Sequence, residues 1–125
     1  MSAIFRLWNG ASPTAAVLTP VTTGTGIKTM LQVLGNTGLI LNVKAWGVSM
    51  DAAAAAAGVQ WELIETTTVA ATVTAHVEAG CIPVNQAAVA AIAANYFNLG
   101  TEATGYTASA EDTVVAGTKI GRAHV

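Results

Sequence analysis

This sequence is short of most of what chemistry at a protein surface requires. Of its 125 residues only 10% are charged, five basic against seven acidic, for a formal net charge of −2. A nucleic-acid binder concentrates Lys and Arg to displace counterions from phosphates, and no such concentration exists here. Twelve scattered charges are also a thin stock for acid–base work. Cys81 is the single cysteine, so no internal disulfide can form. That fits a reducing compartment, and a lone cysteine is foremost a small buried apolar residue. The chain opens Met1-Ser2-Ala3-Ile4-Phe5-Arg6, without the basic stretch and apolar run of a signal peptide. No window of about 18 residues is apolar throughout, so no transmembrane helix is expected.

What is present is alanine (26 residues), threonine (17) and a hydrophobic content of 53%. That suffices to bury a core in one domain and argues against general disorder.

Residues 1–26 are rich in Thr, Ala, Pro and Gly, and read as an extended arm with one short strand near Ile4–Trp8. From residue 27 the pattern changes to period two, the strand signature. Ile27, Thr29, Leu31 and Val33 share one face, and Lys28, Met30, Gln32 and Leu34 the other. Gly35-Asn36-Thr37-Gly38 supplies a turn. A second strand is predicted over Leu39–Met50, with Gly47 as a bulge that switches the apolar face from Leu39, Leu41 and Val43 to Trp46, Val48 and Met50. Asp51 and the run Ala52–Ala57 read as a loop or single helical turn, too short to nucleate a helix.

The clearest strand is 59–68, with Val59, Trp61 and Leu63 inward. Another spans Thr72–Val77, with Val73, Ala75 and Val77 inward and Thr72, Thr74 and His76 outward. Val89, Ile92 and Tyr96 have helical spacing, and Asn85 is a candidate cap, so 85–96 has room for one short helix. Residues 103–119 read as a strand pair.

Candidate chemistry is sparse. His76 and Glu78 are two apart and would leave one strand face together, but a metal normally takes three or four ligands, so a solvated face is the better reading. Glu62 and Glu65 have opposite parity and cannot act as paired carboxylates. Gly24-Thr25-Gly26-Ile27-Lys28-Thr29 fails the phosphate-loop spacing, and no Gly-x-Ser-x-Gly elbow exists. Any catalytic pair would have to rest on His76 in a polar pocket. No enzyme, cofactor or metal is expected. Trp61 is assigned to the core. Trp46 is assigned to a second face, covered by another sheet or subunit, with a sugar-binding platform as the alternative.

The last six residues, Ile120-Gly121-Arg122-Ala123-His124-Val125, are what a widely used sequencing adapter encodes: ATC GGA AGA GCA CAC GTC, with the stop TGA next. The two adapter bases before ATC are AG, so the preceding codon must end in AG, and Lys119 permits that. The alternative is a natural basic tail. On the adapter reading residues 120–125 carry no functional information, and the natural chain continues past Lys119.

Five tracts resemble a group of small phage structural proteins. They are Lys28-Thr29-Met30-Leu31-Gln32, Val43-Lys44-Ala45-Trp46-Gly47-Val48-Ser49, Glu62-Leu63-Ile64-Glu65-Thr66, Ala70-Ala71-Thr72-Val73-Thr74-Ala75-His76-Val77, and Leu99 to Ala108. These are packing and turn motifs, and no catalytic residue carries over. The alanine run and the Ala/Val segment 86–94 depart from the pattern. The resemblance implies a capsid-associated or decoration-like virion component with a β-sandwich or jelly-roll core and further strands after this point.

The expectation is therefore an all-β, antiparallel, jelly-roll-like sandwich, truncated at its C-terminus, with an arm (1–26), a domain (27–119) and an adapter-derived tail (120–125). Its function would be structural, in head decoration or as a minor capsid component, made in the host cytoplasm and located in the virion. Its partners would be its own copies, a trimer among the options, and other virion proteins, with no nucleic acid or membrane. Leu7, Trp8, Trp46 and Met50 are the contact candidates. The alternative function is a tail-associated or cell-surface carbohydrate-binding module.

Overall fold

The computed structural model describes residues 3–10, 20–23, 26–50, 59–66, 70–84, 93–109 and 118–124, the last as main chain. Thr- and Val-rich alternation does give strands, and the fold is all-β. Seven strands are formed among the described residues: β1 Phe5–Arg6, β2 Leu31–Gln32, β3 Gln60–Glu65, β4 Val73–Ala75, β5 Ile82–Pro83, β6 Gly105–Ala108 and β7 Thr118–His124. They make three small sheets, β1-β5, β2-β6-β4 and β3-β7, with every strand pair antiparallel. The only helical elements among the described residues are two single-turn 3-10 helices, Glu78–Gly80 and Ala93–Asn95.

The central sheet is organised by β6, which pairs with β2 on one side and β4 on the other. Opposite β4 the register slips by one residue, since Val73 faces Ala108 and Thr74 faces Tyr106. Thr107 is the extra residue, and it takes a left-handed φ of 47°. Glycine normally fills such a bulge, because a β-branched side chain crowds the main chain there. β3 and β7 carry a second slip, between Leu63 and Ile64, which leaves Ile120 unopposed. Five of β7's seven residues, Ile120–His124, lie in the segment expected to be adapter-derived. A ladder is made by main-chain groups, so the edge of β3 accepts an extended segment whatever its side chains.

The core is small and built in two pieces. Ala71 and Val73 form one. Cys81, Ala93 and Phe97 form the other, with Phe5, Leu7, Tyr96 and Leu99 packed against it. Phe5 meets Phe97 edge-on at 5.1 Å and Tyr96 at 5.3 Å, so β1 is fastened by aromatic contact as well as by pairing. Cys81 is buried and free, as a small apolar residue would be.

Several expectations change. Leu39–Met50 forms no strand, and Gly47 sits on no ladder, so no face-switching bulge arises. On 27–34 only Leu31–Gln32 pairs as a strand, and the inward side chain is polar Gln32 while Leu31 and Val33 are exposed. His76 is buried instead of outward, and Val77 is 68% exposed instead of inward. Parity is lost because β4 stops at Ala75 and the 3-10 turn starts at Glu78. Strands β6 and β7 do not pair with each other; each finds a partner earlier in the chain. The proposed cap Asn85, residues Val89 and Ile92 and the alanine run 52–57 lie outside the described residues. Within the expected helix the described part is the 3-10 turn Ala93–Asn95.

Candidate functional site

Residues 26–50 contain two charges, Lys28 and Lys44, and no acid. One side of this stretch is pinned to the body. Leu34 N–H donates to Thr104 Oγ1 at 3.0 Å, and that hydroxyl donates back to the Leu34 carbonyl at 3.2 Å. Asn36 N–H donates to the Tyr96 carbonyl at 3.0 Å, and its side-chain amide donates to the Ala94 carbonyl at 2.8 Å. Leu39 N–H closes a turn on the Asn36 carbonyl at 3.0 Å, with Gly38 at φ 86°, a conformation open to glycine. Beyond that turn the chain runs without a ladder.

The other side of the stretch is bare and apolar. Of the twelve large apolar side chains exposed among the described residues, nine lie between Ile27 and Trp46. Ile40 is 97% exposed, with Leu39, Leu41 and Val43 around it. Single exposed apolar residues are ordinary, but a contiguous run with almost no charge is the composition of a contact surface. Sequence periodicity placed Leu39, Leu41 and Val43 on one face without showing that it stays uncovered. The signal that could have found it is the scarcity of charge across 26–50.

The four contact candidates separate. Trp46 is 40% exposed and belongs to the bare stretch, and Met50 is half-buried at its end. Leu7 packs against this chain's own core of Cys81, Ala93 and Phe97. Trp8 is half-buried, with the Arg6 guanidinium 5.9 Å over its ring and its indole N–H buried without a partner.

His76 is 2% exposed. Its Nε2 lies 2.9 Å from the Trp8 carbonyl, an acceptor, so Nε2 carries the hydrogen and donates. Its ring sits 4.9 Å from that of Tyr106. Its Nδ1 is buried without a partner. Burial lowers the imidazole pKa below its ordinary value, and the bond to the Trp8 carbonyl only partly opposes this. Glu78 does not share a strand face with it; the carboxylate turns to the Ala94 N–H at 3.3 Å. No three of His, Cys, Asp and Glu come together among the described residues, so His76 and Glu78 gain no third metal ligand there. Burial raises the Cys81 pKa, with a further push from the nearby Glu78 charge. A buried thiol held protonated is a poor nucleophile. Glu65 is exposed, and Glu62 accepts from the Gln60 side chain at the start of β3.

Comparison of the chain with protein-family models, with curated proteins and with solved structures gives no match. No helix among the described residues is long and apolar enough to cross a membrane.

Proposed function

We propose that this chain is a structural subunit of a phage virion, a decoration or minor capsid component that works by burying apolar surface against its own copies. The observation that carries the proposal is the bare run from Ile27 to Trp46, nine exposed large apolar side chains beside only Lys28 and Lys44. Few ions must be desolvated to cover such a surface, so contact between copies is cheap in electrostatic terms. The five tracts that resemble small phage structural proteins support the same assignment. On this proposal the three antiparallel sheets are parts of a jelly-roll-type sandwich, and the assembled virion is where the protein resides after synthesis in the host cytoplasm.

Two measurements test it together. Sedimentation velocity over a range of concentrations should show a discrete oligomer, and the gene should lie among portal, protease, major-capsid or tail genes. A monomer at every concentration would remove the assembly mechanism, and a neighbourhood of metabolic genes would remove the virion assignment.

A further inference from the structure

Among the described residues, His76 is a buried imidazole with one nitrogen bonded and the other bare. We propose that His76 is an acid-sensitive latch: it holds the N-terminal segment on the body through the Trp8 carbonyl, and loosens that segment when Nδ1 takes up a proton from solvent. The segment has little else to hold it. β1 and β5 pair over two residues each, Val84 N–H donates to the Ile4 carbonyl at 2.9 Å, and Phe5 and Leu7 pack on the core. Beyond β1, Leu7 packs on the core and the imidazole bond holds Trp8.

Neutral His76 donates from Nε2 to Trp8 and leaves Nδ1 as a bare acceptor. Protonation converts Nδ1 into a donor with nothing to receive it. A Cβ built on Gly80 would lie 2.8 Å from Nδ1, so main chain already closes that side. A buried donor without an acceptor, carrying part of a positive charge, costs far more than an exposed one. The ionisable groups on the surrounding elements do little to offset it. Arg6, at the Trp8 ring, has the same sign as an imidazolium. Glu78 is engaged with the Ala94 N–H, and burial keeps the Cys81 thiol protonated. The Tyr106 ring is tilted 58° to the imidazole. The lowered pKa of His76 agrees in direction.

The latch does not depend on the virion assignment. If that assignment holds, the loosened segment begins the arm expected to reach a neighbouring subunit, and acid would then control its availability.

The test is amide hydrogen exchange of the intact chain from about pH 8 to about pH 5, corrected for intrinsic rate, comparing residues 3–8 with residues 60–65. Protection of 3–8 should lie below that of 60–65 throughout and should fall at least about tenfold toward acid. H76Q, which keeps an N–H for Trp8 and cannot ionise, should abolish the pH dependence, and E78Q should retain it. Unchanged protection in the wild type, the same acid loss in H76Q, or an opening free energy of 3–8 equal to that of 60–65 would each overturn the latch. Should H76Q fail to fold, nitrogen NMR of the wild-type imidazole decides. The Trp8 amide should titrate with the His76 midpoint, and a Trp8 amide that ignores that midpoint would refute the proposal.

Discussion

Gln32 and Ala71 hold each other reciprocally. The Ala71 N–H donates to Gln32 Oε1 at 2.9 Å, and Gln32 Nε2 donates back to the Ala71 carbonyl at 3.2 Å. The second hydrogen on Nε2 goes to the Ala103 carbonyl at 2.7 Å. The carboxamide thus acts as a piece of strand, completing main-chain pairing for residues beside β4 and β6 that have no ladder neighbour on that side.

Removing this amide should cost more than an ordinary polar substitution. Gln32→Leu leaves one N–H and two carbonyls short of partners, and Gln32→Glu sets a carboxylate against two carbonyl oxygens. Each is expected to destabilise by about 2–4 kcal/mol. Denaturant unfolding monitored by tryptophan fluorescence checks this. A midpoint within error of wild type for Gln32→Leu would mean that water replaces the amide.

Thr107 is strained in the bulge. Its φ is 47° and its hydroxyl is buried without a partner, while its N–H donates to the Met30 carbonyl at 2.8 Å, a bond any residue would keep. Thr107→Gly should stabilise the fold by about 1 kcal/mol, because glycine takes that φ freely and loses no hydrogen bond. The neighbouring glycine behaves oppositely. A Cβ at Gly105 would overlap the Thr74 carbonyl oxygen and Val73 Cγ2 across the sheet. Gly105→Ala should therefore destabilise by more than about 2 kcal/mol. Paired melting curves of the two variants should move in opposite directions.

Ile40 offers a separation of folding from assembly. At 97% exposure it contributes almost nothing to this chain's own core. Ile40→Lys should leave unfolding free energy within about 0.5 kcal/mol of wild type. The same substitution places a charge in the middle of the bare stretch, so self-association in sedimentation velocity should weaken. An oligomer of undiminished strength would show that contacts lie elsewhere.

Two buried groups set opposite limits on pH. The His76 pKa is lowered in the fold, so its stabilising contribution is present above the ordinary histidine value near about 6.5 and is lost as pH falls through the lowered folded value. The Cys81 pKa is raised, so its contribution is present below the ordinary thiol value near about 8.5 and is lost as pH rises through the raised folded value. Stability against pH should form a plateau between them. H76Q should flatten the acid limb, and Cys81→Ala the alkaline one. Native Cys81 should also react with iodoacetamide far more slowly than the unfolded chain does.

Legibility varied with the range of the interactions involved. β3, β4 and β1 fall where Val, Thr and aromatic residues alternate or cluster, because a pleated half-buried surface selects those side chains locally. The span Leu39–Met50 carries the same residue types and forms no strand, since a strand also needs a neighbour to bond with and none among the described elements lies alongside. Of the contact candidates, Trp46 is exposed, while Leu7 packs on this chain's own core and the Trp8 carbonyl accepts from the His76 imidazole.

The alternation and residue types along the chain determined that this protein is built largely from extended backbone and that its single thiol is a small core residue. Those properties follow from residue type and nearest neighbours. Which polar groups go inside was decided only by the tertiary structure. Gln32 meets Ala103 across 71 positions, Leu34 meets Thr104 across 70, and His76 meets Trp8 across 68. A polar side chain is buried where a partner waits for it, and partners that distant are brought together by the packing of the sheets, not by any pattern along the chain.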